Sequence, residues 1–139
     1  MAADPLFVDT GGFYALISPE SAAHARAIRI MEAAAQERRC AVTTDYILDE
    51  TATLLRARGL TKLLAEFFHL TEESQALTIE WISPGRFAVA RKFMLKHLDQ
   101  EFSFTDCVSF VVMRELRLND ALATDSHFRI AGFSPLLAD

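Results

Sequence analysis

The sequence predicts an α/β fold, a three-layer α/β/α sandwich with a mainly parallel central sheet, in a single domain spanning residues 1–139. Short strand-like runs alternate with helical runs along the whole chain, which is typical of right-handed βαβ units with helices on both faces of the sheet. The length fits one domain. Hydrophobic residues make up 51% of the chain, enough for a core without disulfides or structural metals.

In the first half of the chain, chain-breaking residues separate the predicted elements. A short apolar run forms the first strand, and Gly11 and Gly12 open the first helix, which Pro19 ends. Apolar residues at helical spacing then mark three longer helices, one of which stops at Gly59. The predicted elements are a strand at 6–9, helices at 11–17 and 20–38, a strand at 40–43, and helices at 46–58 and 61–74.

The second half continues the alternation. Pro84 and Gly85 are predicted to turn the chain from a strand into a helix, and Gly132 to end a short helical turn. The predicted elements are a strand at 77–82, helices at 86–98 and 105–116, a strand at 121–124, a helical turn at 127–131 and a last strand near residue 133.

Composition and charge exclude some classes of protein. A net charge of −5 argues against a protein that coats nucleic acid with a basic surface. No apolar run approaches the ~20 residues that span a bilayer, so no membrane segment is expected. Cys40 and Cys107 lack metal-ligand spacing, and so sparse a pair suits a reducing cytoplasm, where we expect the protein to be located.

Two acidic residues follow predicted strands. Asp9 ends the first strand, and Asp125 follows the strand at 121–124. Ligands of open α/β sheets bind beyond the carboxyl ends of the strands, so both carboxylates should emerge at one edge of the sheet. Asp106 lies in the first turn of its helix, where the helix dipole stabilises an anion.

Helix phase separates three further acids. At ~100° per residue, an apolar stripe runs along the helix at 46–58, and Glu50 falls at its border, ~40° from Leu54. Asp45 and Asp49 fall nearly opposite the centre of the stripe and should face solvent. Glu50 is therefore the acid of this helix that is expected to point toward the packed interior.

Carboxylates that converge repel one another unless a cation lies among them. Oxygen ligands of this kind suit Mg²⁺ or Mn²⁺. Such ions activate water and neutralise charge on a phosphoryl transition state, so metal-assisted phosphodiester hydrolysis is the chemistry predicted for Asp9, Glu50, Asp106 and Asp125.

Each acid also has a purely structural interpretation. The segment from Ser103 to Asp106 matches a capping box. Asp9 and Asp125 could be N-caps, and Glu50 could be a solvated helix carboxylate. A packing or structural role is also favoured for His127.

Four segments together resemble the acidic motifs of PIN domains, most closely the small bacterial and archaeal proteins that include the VapC toxins. They are FVDT at 7–10, LDET at 48–51, FTDC at 104–107 and TDSHF at 124–128, in the family's order. The resemblance implies a PIN-like fold, Mg²⁺- or Mn²⁺-dependent endoribonuclease activity on RNA, a homodimer and a paired antitoxin. By motif position, Asp9, Glu50 and Asp106 would be the main metal-site carboxylates and Asp125 the fourth.

One position departs from the family pattern. Many members carry a hydroxyl residue two positions before the fourth acid, where this chain has Ala123, with Thr124 adjacent. The geometry around Asp125 is therefore expected to differ from the family pattern.

The sequence is also compatible with other functions. The chain could be a PIN-fold RNA-processing nuclease without an antitoxin, or a catalytically silent RNA-binding or regulatory module. A phosphatase using Asp9 as nucleophile is disfavoured, because its usual second Asp is replaced by Gly11. Arg114, Arg117 and Arg129 are the preferred phosphate contacts. The aromatic residues Phe102, Phe104 and Phe110 are expected in the core rather than stacked on bases.

Overall fold

The computed structural model describes residues 3–139, which contain seven helices and a five-stranded sheet with the strand order β3-β2-β1-β4-β5. Every pair of neighbouring strands is parallel. The elements are β1 (Leu6–Val8), α1 (Thr10–Ile17), α2 (His24–Gln36), β2 (Ala41–Thr44), α3 (Asp45–Ala57), α4 (Thr61–Glu73), β3 (Leu77–Glu80), α5 (Pro84–Lys96), α6 (Phe104–Glu115), β4 (Asp120–Leu122), α7 (His127–Ile130) and β5 (Ser134–Pro135).

The strand order places the helices in two layers. From β1 to β3 the chain moves in one direction across the sheet, and right-handed crossovers put α1 to α4 on one face. From β3 the chain returns past β1 to β4 and continues outward to β5, so α5 to α7 cover the opposite face. The predicted three-layer α/β/α sandwich is therefore confirmed.

The core is thickest around the central strands. Every residue of β1 and β2 is buried, because helices cover both faces of the sheet there. Helix α1 lies against the end of β4: a Cβ atom at Gly12 would overlap the carbonyl group of Leu122, and one at Gly11 would overlap the hydroxyl of Thr124. The two glycines thus let the first turn of α1 approach the carboxyl end of β4.

Two predicted helix boundaries were wrong. The helix predicted from residue 20 begins at His24, because the chain first forms turns in which Ser21 Oγ accepts a hydrogen bond from the amide of Ala23. The predicted turn at Pro84 and Gly85 is instead the first turn of α5. Ser83 caps that helix, and proline is favoured at the first helical position.

In the part of the chain that the structure describes, no helix combines the length and apolar character required to span a membrane. Among the same residues, Cys40 is exposed, Cys107 is buried and neither is paired in a disulfide.

Candidate active site

The predicted acidic residues lie where the strand order reverses. The chain moves from β1 toward β2 on one side and reaches β4 on the other, and both strands pair with β1. Asp9 directly follows β1, and Asp125 follows β4 by three residues. Parallel sheets bind ligands at such a reversal, because the diverging connections leave a crevice beyond the strand ends.

Asp9 is a buried acid in this crevice, with only 7% of its surface exposed. It stands at the N-cap position of α1, yet within residues 3–139 its side chain makes no capping hydrogen bond. Burial raises its pKa from 3.8 to about 7; the amide of Thr10 partly opposes this, and the charges of Glu50, Asp106 and Asp125 add to it. An N-cap role therefore does not explain why a buried acid lies at this position.

Asp106 does form the capping box that the sequence suggested. Its amide donates to Ser103 Oγ at 3.0 Å, and the amide of Ser103 donates to Asp106 Oδ2 at 3.1 Å. The carboxylate is nevertheless buried and close enough to Asp9 and Glu50 to raise their pKa values. Capping and membership of the acid cluster are thus compatible, since the cap fixes the carboxylate in place.

His127 joins two of the acids. Its Nδ1 lies 3.1 Å from Asp106 Oδ2 and 3.3 Å from Asp125 Oδ2, and its amide donates to Asp125 Oδ1 at 2.8 Å. Oxygen and nitrogen atoms of these three residues all lie within 4.8 Å of one another, a spacing that could hold a metal ion. The sequence favoured a packing role for His127. The only feature of the sequence that connected His127 with the site was its position two residues after Asp125.

Glu50 completes the cluster from α3. Its side chain is exposed overall, but partial burial of the carboxyl raises its pKa. The charges of Asp106 and Asp125 raise this pKa further, and a hydrogen bond with Thr10 lowers it. The carboxyl group therefore lies within reach of the other acids, as helix phase predicts. Asp49 is exposed.

Asp45 differs from its prediction. Rather than facing solvent, its Oδ1 accepts a hydrogen bond from the amide of Ile82 at 3.0 Å. The reason lies in the sheet: β2 and β3 are neighbours, so the residue that follows β2 meets the chain that leaves β3. Helix phase alone cannot predict this contact.

A pair of buried threonines supports the site and was missed by the sequence. Thr51 Oγ1 lies 3.0 Å from Thr10 Oγ1 and 2.7 Å from the carbonyl oxygen of Ile47. The pair fixes the Thr10 hydroxyl, which hydrogen-bonds with Glu50. Thr51 lies in the apolar stripe of α3, so its spacing indicated only a core position.

The donor set fits a hard divalent cation. Carboxylate oxygens are the ligands that such ions prefer, and histidine is a common additional ligand. The raised pKa values of Asp9 and Glu50 show that full ionisation of the cluster is unfavourable without a compensating positive charge. A bound cation would provide that charge.

Two arginines on different helices illustrate the surroundings of the site. Arg114 lies two helical turns beyond Asp106, ~12 Å along α6, and stacks on Phe93 at 5.0 Å. Arg26, on α2, instead lines a cavity of about 320 Å³ together with Thr124, the neighbour of Asp125. The guanidinium of Arg26 donates to the carbonyl oxygen of Leu136 at 2.8 Å, and the phosphate contacts predicted for other arginines stay predictions.

The stability of the metal-free chain should depend on pH. Because folding raises the pKa of Asp9 from 3.8 to about 7, the folded state binds a proton more tightly than the unfolded state. This contribution is complete below pH ~4 and is lost as the pH rises toward 7, at no more than about 1.4 kcal/mol per pH unit. Urea unfolding in chelator between pH 5 and 8 measures it. Asp9→Asn should flatten the decline, and an identical slope in the variant would contradict the assignment.

Comparisons with known proteins place the chain in a family. The model of the PIN domain family matches residues 6–133. The 23S rRNA-specific endonuclease VapC20 of Mycobacterium tuberculosis is 32% identical over 130 residues, covering 92% of this chain and 95% of the relative. A VapC ribonuclease of Archaeoglobus fulgidus is also 32% identical, covering 88% of this chain and 78% of the relative.

A solved structure agrees with these matches. The crystal structure of M. tuberculosis VapC20, a toxin that cleaves the sarcin-ricin loop, superposes with a TM-score of 0.83 at 29% identity, covering 94% of this chain and 97% of that one. The predicted resemblance, the PIN-like fold and the nuclease class are thus confirmed. Members of the family are generally metal-dependent, and this chain has the acidic cluster that such a site requires. The chain belongs to the PIN-domain family of nucleases and is similar to VapC toxins of that family.

Proposed function

We propose that the chain is a metal-dependent endoribonuclease that hydrolyses phosphodiester bonds of RNA. The observation that carries the proposal is the convergence of four acids from four separate segments, Asp9, Glu50, Asp106 and Asp125, at the reversal point of the sheet. Capping explains the position of Asp106 but not why three further acids lie near it, since such a convergence is electrostatically costly.

These carboxylates, with His127 beside them, would hold Mg²⁺ or Mn²⁺. When bound, the ion activates water and neutralises charge on the phosphoryl group. The chain itself positions the donors: the capping box fixes Asp106, and His127 fixes Asp106 and Asp125 relative to each other. Because Asp9 is buried, water screens the charges of the site only weakly, and the electrostatic interactions there are stronger than in water.

We further propose that the protein is the toxin of a toxin–antitoxin pair, since relatives along most of its length are VapC proteins. A homodimer is supported by large apolar side chains that remain exposed on or beside α5, namely Val89, Leu95 and Leu98. The unpaired cysteines suit a reducing compartment, and we place the protein in the cytoplasm.

The function is tested by cleavage of single-stranded RNA. Purified chain stripped of metal should be inactive, and Mg²⁺ or Mn²⁺ should restore cleavage, because the acids need a cation to act together. Ca²⁺ is the matched control, as it binds oxygen ligands with looser geometry. Full activity of the metal-stripped chain would overturn the proposal, and binding of RNA without cleavage in any metal would indicate the silent module instead.

A further inference from the structure

Four aromatic residues, here called the aromatic shelf, lie near the carboxyl ends of β2 and β3 and in the first turns of α5 and α6: Tyr46, Trp81, Phe87 and Phe104. The ring of Phe104 lies 5.0 Å from that of Phe87 and 6.0 Å from that of Tyr46. Trp81 is 68% exposed and Phe87 is 39% exposed, whereas Tyr46 and Phe104 are partly buried. The prediction that Phe104 belongs wholly to the core was therefore wrong, although Phe102 and Phe110 are buried.

The shelf lies at the same edge of the sheet as the acids. Trp81 directly follows β3, and Tyr46 is the second residue after β2. The hydrogen bond from the amide of Ile82 to Asp45 holds these two segments together, and Arg86 donates to the carbonyl oxygen of Trp81 at 3.3 Å. The segment carrying Trp81 is thus fixed both to the start of α3 and to the residue before Phe87.

The shelf is continuous with the acidic cluster. Tyr46 and Glu50 are four residues apart on α3, so they lie on the same face of the helix, separated by about 6 Å along its axis. Tyr46 in turn contacts Phe104 of α6, with the two ring centres 6.0 Å apart. A chain of nucleotides that places a phosphate at the acids can therefore extend its neighbouring bases over the aromatic rings.

The charge of the protein makes such a contact useful. At a net charge of −5 the protein has no general attraction for the RNA backbone, so affinity has to come from elsewhere. Base–aromatic stacking is independent of charge and accepts every base, because every base has a π face. Arg86, which donates to the carbonyl oxygen of Trp81, is paired with Glu80 and Glu115.

We propose that the aromatic shelf binds unpaired RNA bases next to the scissile phosphate and so restricts the substrate to RNA whose bases are splayed out. The proposal rests on the endoribonuclease function proposed above. A protein partner is a less suitable occupant, because the exposed aliphatic residues Val89, Leu95 and Leu98 already provide a more typical protein-binding surface, while the shelf consists of aromatic rings beside the acids.

The binding test uses Trp81, which is the only tryptophan of the chain, so that its fluorescence reports on the shelf alone. The full chain carrying Asp9→Asn, in Mg²⁺, is titrated with a short single-stranded RNA. Single-stranded RNA should quench Trp81, whereas an oligomer of the same length without bases should leave it nearly unchanged. Equal responses to the two oligomers, or no response to either, would overturn the proposal.

The cleavage test compares Trp81→Ala and Phe87→Ala with Phe68→Ala, an aromatic residue of similar exposure on α4. Loss of one stacked base corresponds to roughly a 5- to 150-fold change in affinity. Trp81→Ala should therefore raise KM for single-stranded RNA at least about fivefold with a smaller change in kcat, while Phe68→Ala should match the parent chain. All variants are exposed substitutions, and equal melting temperatures confirm that they fold.

The outcomes separate this proposal from the proposed function. If the parent chain cleaves RNA but both shelf variants behave like Phe68→Ala, the shelf proposal is wrong and the nuclease function stands. If the parent chain cleaves no RNA, the proposed function is wrong. The quenching experiment by itself then decides whether the shelf binds single-stranded RNA. If the shelf variants instead convert a dimer to a monomer in sedimentation with KM unchanged, the surface binds a second copy and the proposal is overturned.

Discussion

Asp9→Asn should reduce RNA cleavage by at least about 100-fold, because even partners one step removed from a metal commonly contribute 10- to 100-fold. The substitution keeps the size of the side chain and removes its charge from a buried position where Glu50, Asp106 and Asp125 also act. The variant should remain folded and be at least as stable as the parent chain without metal, since one source of repulsion is gone. Single-turnover cleavage and chelator-treated melting curves measure the two effects.

The matched control is Asp120→Asn. Asp120 begins β4, the strand that Asp125 follows, and pairs with Arg39 at 3.0 Å, so it lies at the opposite edge of the sheet. Losing this partly exposed ion pair should cost no more than about 1 kcal/mol of stability and leave cleavage within about twofold. If Asp9→Asn were as active as Asp120→Asn, Asp9 would have only a structural role.

Glu50→Gln should lower cleavage by a similar factor, whereas Asp49→Asn should leave it within about twofold. The residues are adjacent on α3, and both substitutions remove one negative charge from the same helix. Only Glu50 has its carboxyl among the acids, where Asp106 and Asp125 raise its pKa and Thr10 hydrogen-bonds with it. The difference in cleavage between the two variants therefore measures the effect of where the carboxyl group lies, and not the effect of removing one negative charge.

The comparison requires initial rates at saturating Mg²⁺ and again at low Mg²⁺. A loss caused by weaker ion binding should diminish as Mg²⁺ rises, whereas a loss of positioning should persist. Equal activity of the two variants at both concentrations would show that the helix-phase argument for Glu50 is wrong.

The positions of the acids followed from local rules that hold in almost any parallel α/β sheet. Asp9 and Asp125 each come after a short apolar strand, and parallel strands end at one edge. Glu50 followed from the 100° step of the helix, and Asp106 from the capping signature that begins α6. Each rule needs only neighbours in the sequence.

The sequence by itself thus determined the fold class and the edge of the sheet where the site lies, and its resemblance to PIN domains singled out the four carboxylates proposed for that site. Only the tertiary structure decided that His127 lies between Asp106 and Asp125, that Thr51 meets Thr10, and that Phe104 joins an exposed aromatic surface. Apart from the neighbours His127 and Asp125, these contacts join residues 17 to 58 positions apart, and each joins two different elements. They depend on which strands are neighbours and how the helices cross over them, and the period of a helix or strand contains no information about either.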